Sequence, residues 1–287
     1  MKQTHAFKGA SNLLMKKAKR LEAKRKESSK NKWAIPVVII IAAIIIVSLI
    51  AYRFFYIQPP KFQSKAAIVD QLSVKYPNPN FNQTATRLLD SAGFNEIDYY
   101  SHEKVTVEFY RNLPTHDYGI IILRVHSAIR EAQEKYIDLF TSEKYTMEIR
   151  QRYDAEFSSG QLTIAEFLET SEQYVAIGPE FVRKNMKGAF AKTIIVMMGC
   201  NGIENNSMAD ALRDKGASVY VGWTNWVEIN DTDTGIQQFL TYFLADNQTI
   251  IEAVGKTNLN YVVMGIALDY NPKDMGNLSL QALLKLE

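Results

Sequence analysis

The reactive groups in this chain are few. Cys200 is its single cysteine among 287 residues, and it stands in Thr193–Gly202, TIIVMMGCNG, at the end of an apolar run and with glycines at 199 and 202. A thiol attacks carbon well only as the thiolate, and a neighbouring imidazole supplies that form by taking the proton or stabilising the anion. Of the four histidines, His126 closes a second apolar run, YGIIILRVHS at 118–127. His102 and His116 are the alternative partners; His116 precedes that run and falls at its other end. A thiol and an imidazole need only spatial adjacency, and two neighbouring parallel strands supply it. Gly199 lets the backbone turn sharply without a Cβ. Backbone N–H groups around Ser127 and Cys200 would then face a developing oxyanion.

The elements that must hold these groups alternate along the chain. AAIVDQLSV and ATRLLDSAGF read as helical patterns, and EIDYY as a short strand. YGIIILRVHS, TIIVMM and ASVYVGW read as strands buried on both faces, because they are continuous and rich in β-branched residues. SMADALRDKG carries capping-box spacing at Ser207 and Asp210, and TIIEAVGKTNLNYVVMGI reads as a long helix opening on Thr249 and Glu252. Strands alternating with helices predict an α/β domain with a largely parallel sheet. Ligands of such sheets sit outside the carboxyl ends of the strands, where both His126 and Cys200 fall.

An apolar strand ending in His, then one ending in a small residue and Cys, then Gly-Ala and a strand, resembles the caspase–haemoglobinase fold of the clan CD cysteine peptidases. TIIVMMGCNGIENNSMADALRDKGASVYVGWTNWV is most similar to the gingipain and CHAT-domain members, and the resemblance spans about 115–265. It implies a three-layer α/β/α fold with a mainly parallel sheet. It further implies that Cys200 is the nucleophile, that His126 is the general base, and that the backbone of Ser127 and Cys200 forms the oxyanion hole. Trp223, Trp226, Glu228, Asp231 and Asp233 follow the third strand and would line a substrate pocket. Two positions depart from the pattern. Ser127 stands where the family has Gly. Met198 stands where members that cut after Arg or Lys carry Asp, so no preference for basic residues is predicted.

The N-terminal end has a different character. Residues 1–32 hold eleven basic and two acidic residues, a net charge of +9. Against +2 for the whole chain, that leaves 54–287 at −8 once Arg53 is counted with the basic end. Trp33–Tyr52 carry no charge over 20 residues, which at roughly 1.5 Å per residue spans about 30 Å as a helix. The expected organisation is a basic cytoplasmic tail over 1–32, a single transmembrane signal anchor over 33–57 and an extracytoplasmic domain over 58–287 in the cell membrane. The tail would meet anionic lipid headgroups. Five sequons, at Asn82, Asn205, Asn230, Asn247 and Asn277, agree with an exterior domain.

The composition excludes several functions. One Cys and three outer His match no zinc spacing. No Gly-rich phosphate loop follows a strand, and no G-x-S-x-G appears. An acidic outer domain argues against nucleic acid. No cofactor or metal is expected; the expected partner is a peptide or protein substrate. Three readings follow: a cysteine-type peptidase with a Cys200–His126 dyad, an inactive domain of the same fold that binds peptide or protein, and a structural protein whose thiol makes an intermolecular disulfide.

Overall fold

The computed structural model describes residues 4–56, 61–131, 135–167, 170–261 and 265–285; within the first stretch, side chains are described over 15–25 and 36–51. The chain divides into two units, Met1–Pro59 and Pro60–Glu287.

The first unit is one helix, α1 (Thr4–Tyr56). Among the described residues no helix is long and apolar enough to cross a membrane, which corrects the expected transmembrane helix. The described apolar run, 36–51, has 16 residues. It therefore rises roughly 24 Å, against the ~20 residues and about 30 Å that a bilayer core requires. The remainder of the expected span, 33–35 and 52–57, lies outside the residues whose side chains are described.

The second unit is mixed α/β, built on a six-stranded sheet. Its strands are β1 (Lys65–Asp70), β2 (Glu96–Ser101), β3 (Ile120–Arg124), β8 (Ile194–Met197), β9 (Val219–Trp223) and β10 (Leu268–Asn271), in the order β10-β9-β8-β3-β1-β2. All neighbours are parallel except β9 and β10. Helices cover both faces. α2 (Pro79–Ser91), α8 (Ile229–Leu240) and α9 (Ile250–Asn258) pack Phe81, Leu89, Ile236, Phe239 and Ala253 against Ile68, Ile122 and Val196. On the other face α3 (Val107–Asn112), α6 (Pro179–Asn185) and α7 (Ser207–Asp214) bring Tyr110, Phe181 and Met208 against Val69, Leu123 and Met197. The strands alternate between the two cores, so they read as continuous apolar runs.

Between β3 and β8 the chain builds a second, antiparallel sheet of β4 (Ser127–Arg130), β5 (Tyr136–Lys144), β6 (Leu162–Glu166) and β7 (Gln173–Ile177), ordered β4-β5-β7-β6. Only Val125 and His126 separate β3 from β4, so His126 stands at the corner where the chain leaves one sheet for the other.

Several local expectations are corrected. AAIVDQLSV is not helical: Lys65–Asp70 is β1, buried from Ala66 onward, and its short apolar run is ambiguous between helix and strand until the neighbours β2 and β3 fix it. Asn206, not Ser207, precedes α7, and the Ser207 hydroxyl accepts the N–H of Ile137 on β5 instead of closing a capping box. The Thr249–Glu252 capping box is present, but α9 stops at Asn258; residues 262–264 of the expected longer helix lie outside the described ones.

At the carboxyl edge of the central sheet lies one buried ionic knot. Arg124, which ends β3, is fully buried. Its Nη1 donates to Asp70 Oδ1 at 2.8 Å, its Nε and Nη2 to the two oxygens of Asp233 at 2.7 and 2.8 Å, and Nη2 also to the Tyr76 carbonyl at 2.9 Å. Removing one member of such a cluster leaves unpaired charge in the interior, at a cost of about 3–5 kcal/mol. Arg124→Met should therefore lower the urea-unfolding free energy by about that amount, whereas Arg213→Met, which breaks an exposed pair with Asp210, should leave it within about 0.5 kcal/mol.

Candidate functional site

β3 and β8 are adjacent and parallel, with Leu123 opposite Met197. His126 and Cys200 each stand three residues past that pair, so the fold brings both to the same edge on neighbouring strands. Beyond Met197 the chain turns at Gly199, where a Cβ would stand 2.4 Å from Ser127 Oγ and 2.6 Å from the Val125 carbonyl. Those distances leave no room for a side chain, and glycine there allows the two strand ends to touch. Asn201 follows in the left-handed region at φ 55°.

Cys200 is half-buried against the Trp223 core. Its thiol donates to the Val227 carbonyl at 3.3 Å, not to the imidazole. Burial pushes the thiol pKa up; the Val227 bond pulls it partly back, and the nearby Glu228 carboxylate adds to the rise. The resting thiol is therefore protonated at neutral pH.

His126 is surrounded by aromatic rings. Phe167 stands edge-to-face at 4.4 Å between centroids, with Phe140 at 5.7 Å and Tyr76 at 6.0 Å. Phe140 lies on β5 and Phe167 directly after β6, both in the second sheet's part of the chain. Lys75 caps the far side of this set, its ammonium 4.2 Å from the Phe167 centroid. The backbone at His126 is held from two directions. Its N–H donates to Gln71 Oε1 at 3.2 Å, and its carbonyl accepts the Phe140 N–H at 3.0 Å. Because the 126–127 peptide is planar and trans, a carbonyl aimed at β5 turns the Ser127 N–H away from β5.

The residues expected to line a pocket separate into different places. Trp223 is completely buried, and its indole donates to Thr232 Oγ1 at 2.8 Å, which in turn donates to the Met198 carbonyl at 2.7 Å. It is a core residue beneath the cysteine loop, which corrects its reading as a substrate contact. Asp233 is likewise spent in the Arg124 knot. Asp231 is half-buried, and its carbonyl accepts the Tyr261 hydroxyl. Trp226 and Glu228 are exposed on either side of Val227, whose carbonyl accepts the thiol hydrogen bond. His102 bonds the Gln71 carbonyl at 2.6 Å through Nδ1, and His116 stacks on Tyr118 before β3 begins.

A groove of about 980 Å³ opens between β2 and α2, with β3 and β1 lying between β2 and the strand that ends near Cys200. Asp70, Ser73, Asn78, Asn82, Arg87 and Tyr99 line it. Burial, together with the adjacent Asp70 carboxylate, pushes the Tyr99 hydroxyl up to about 12. Among the described residues no group of three or more His, Cys, Asp or Glu is arranged to hold a metal ion.

Gln71 and the aromatic ring set around His126 went unread in the sequence, because contacts between segments 14 to 55 residues apart leave no local pattern. Arg124 did carry a signal: a lone charge inside a run buried on both faces requires partners.

No protein-family model matches the chain, and no curated protein matches it. Among solved structures, the crystal structure of the Arg specific cysteine proteinase gingipain R (RGPB) aligns at 12% identity with a TM-score of 0.45, over 77% of this chain and 45% of that one. The chain thus spans under half of that structure's length, and a likeness at this level carries no argument. Its own residues define the class: an α/β domain with a thiol and an imidazole at the carboxyl edge of its parallel strands.

The raised thiol pKa has two measurable consequences. With the imidazole removed in His126→Ala, iodoacetamide should alkylate Cys200 of the folded full chain with a midpoint above that of the urea-unfolded chain, and adding Glu228→Gln should lower that midpoint. A thiol whose pKa is higher folded than unfolded contributes stability that is complete below the unfolded value and lost as pH rises through the folded one. Cys200→Ala should therefore reduce the loss of stability in that alkaline window.

Proposed function

We propose that the second unit is a cysteine-type hydrolase that cleaves peptide bonds, with Cys200 as nucleophile and His126 as general base. The observation that carries this reading is the β3–β8 register, which sets the two residues at equal depth on adjacent strand ends. In the reaction, the imidazole takes the Cys200 proton and the sulfur attacks the scissile carbonyl carbon. The carbonyl π electrons move onto oxygen, where the N–H groups of Ser127 and Cys200 stabilise the charge. Collapse of this intermediate breaks the C–N bond, and the imidazolium returns its proton to the leaving amine. Water, deprotonated by the same imidazole, then hydrolyses the thioester and frees the thiol. Trp226 and Glu228, exposed beside Val227, would meet the substrate chain as it approaches the sulfur. For the attack, the thiol must exchange its bond to Val227 for one to His126.

That resting bond also favours a second reading, in which the edge binds peptide or protein without cleaving it. The raised thiol pKa is what such a domain would have. Alkylation of the full chain across pH 5 to 10 separates the two. A peptidase should show a His126-dependent reactive fraction below pH 8 that disappears in His126→Ala. Its turnover of peptide substrates should vanish in Cys200→Ala and fall about 10²–10⁴-fold in His126→Ala. One slow titration, the same in wild type and His126→Ala, would leave the binding reading.

A further inference from the structure

The contact between the two strand ends is made by a side chain that the chemistry above does not use. Ser127 is nearly buried, and its hydroxyl donates to the Cys200 carbonyl at 2.5 Å across 73 residues of sequence. The bonds around it show what this contact fixes. On the side of β3, the Met198 N–H donates to the Leu123 carbonyl at 2.9 Å as the strands end. Past Met198 the cysteine loop is tied to β9 and the segment after it: Asn201 N–H to Asn225, Ile203 N–H to Trp223, and the Tyr220 hydroxyl to the Gly202 carbonyl at 2.9 Å. The Ser127 hydroxyl ties residues 199–203 back to the β3 corner. His126 is the adjacent residue on that corner. Gly199 lies directly under the bond, where any Cβ would meet Ser127 Oγ.

We propose that the Ser127 hydroxyl is a positioning residue: it clamps the backbone of Cys200 to the corner that carries His126 and so sets the distance between thiol and imidazole. The proposal rests on the peptidase reading, which gives that distance its consequence. It also explains a serine at a position where only a backbone N–H was expected to matter. The hydroxyl holds what the backbone alone, with β3 already finished, does not.

The test uses the full chain in wild type, Ser127→Ala and Ser127→Thr, each with and without His126→Ala. The His126-dependent part of the Cys200 alkylation rate should fall at least about tenfold in Ser127→Ala, since misplacement by about 1 Å can cost 10²-fold. It should return in Ser127→Thr, which keeps the hydroxyl. The Cys200 carbonyl ¹³C resonance should move in Ser127→Ala and stay near its wild-type position in Ser127→Thr. Should Ser127→Ala fail to fold, Ser127→Gly is read in its place. An unchanged His126-dependent rate in the folded alanine or glycine variant overturns the proposal. If wild type itself shows no His126 dependence, the peptidase reading falls, and the carbonyl resonance still decides the clamp: no shift on losing the hydroxyl overturns it.

Discussion

The arrangement at the carboxyl edge depends on the charge of Arg124. A guanidinium at the end of a strand buried on both faces costs several kcal/mol to desolvate, and Arg124 offsets this with four donated hydrogen bonds. Asp70 comes from β1, Asp233 from α8 and the Tyr76 carbonyl from the loop after β1. Burial alone would lower the affinity of Arg124 for its proton, but the two carboxylates outweigh it and raise its pKa. The ion is therefore charged at every ordinary pH, and three segments distant in sequence are held to one point. Asn78, which precedes α2, joins through Asp233 at 2.8 Å, and Asn82 and Tyr99 through Asp70 at 3.0 Å. The loop after β1 is thereby placed where Gln71 can take the His126 N–H.

A second constraint comes from the inserted sheet. A chain that went directly from β3 into a crossover helix would leave His126 open to solvent. Instead it turns within two residues into β4, and the new sheet brings Phe140 and Phe167 against the imidazole. Aromatic pairs of this geometry are worth about 0.5–1.5 kcal/mol beyond the area they bury. Both rings pack against the imidazole, and the Lys75 ammonium lies over the Phe167 ring.

The resting thiol stands apart from this. It is bonded to Val227, raised in pKa by burial and faced by Glu228. The strand ends are tightly held, while the reactive atom itself points to the loop after β9. In the proposed peptidase reaction that one side chain would have to rotate toward the imidazole, on a backbone packed at Gly199 against Ser127 and bonded to its hydroxyl.

The sequence by itself determined the parts whose signal is local. YGIIILRVHS, TIIVMM and ASVYVGW read as strands buried on both faces, because their β-branched apolar residues have no polar alternation to turn outward. Thr249 and Glu252 cap a helix, because both groups of the capping box lie within four residues. Cys200 and His126 stood out because a reactive group at the end of such a strand has a fixed place at the sheet edge. The tertiary structure decided what depends on partners. Lys65–Asp70 is a strand because β2 and β3 lie on either side of it, and Trp223 is core because Thr232 meets its indole. The second sheet exists because β4 to β7 satisfy one another. Among the described residues the apolar run in α1 is too short to cross a membrane. Hydrogen bonds and buried charges are settled between segments, and no window of sequence contains both ends of them.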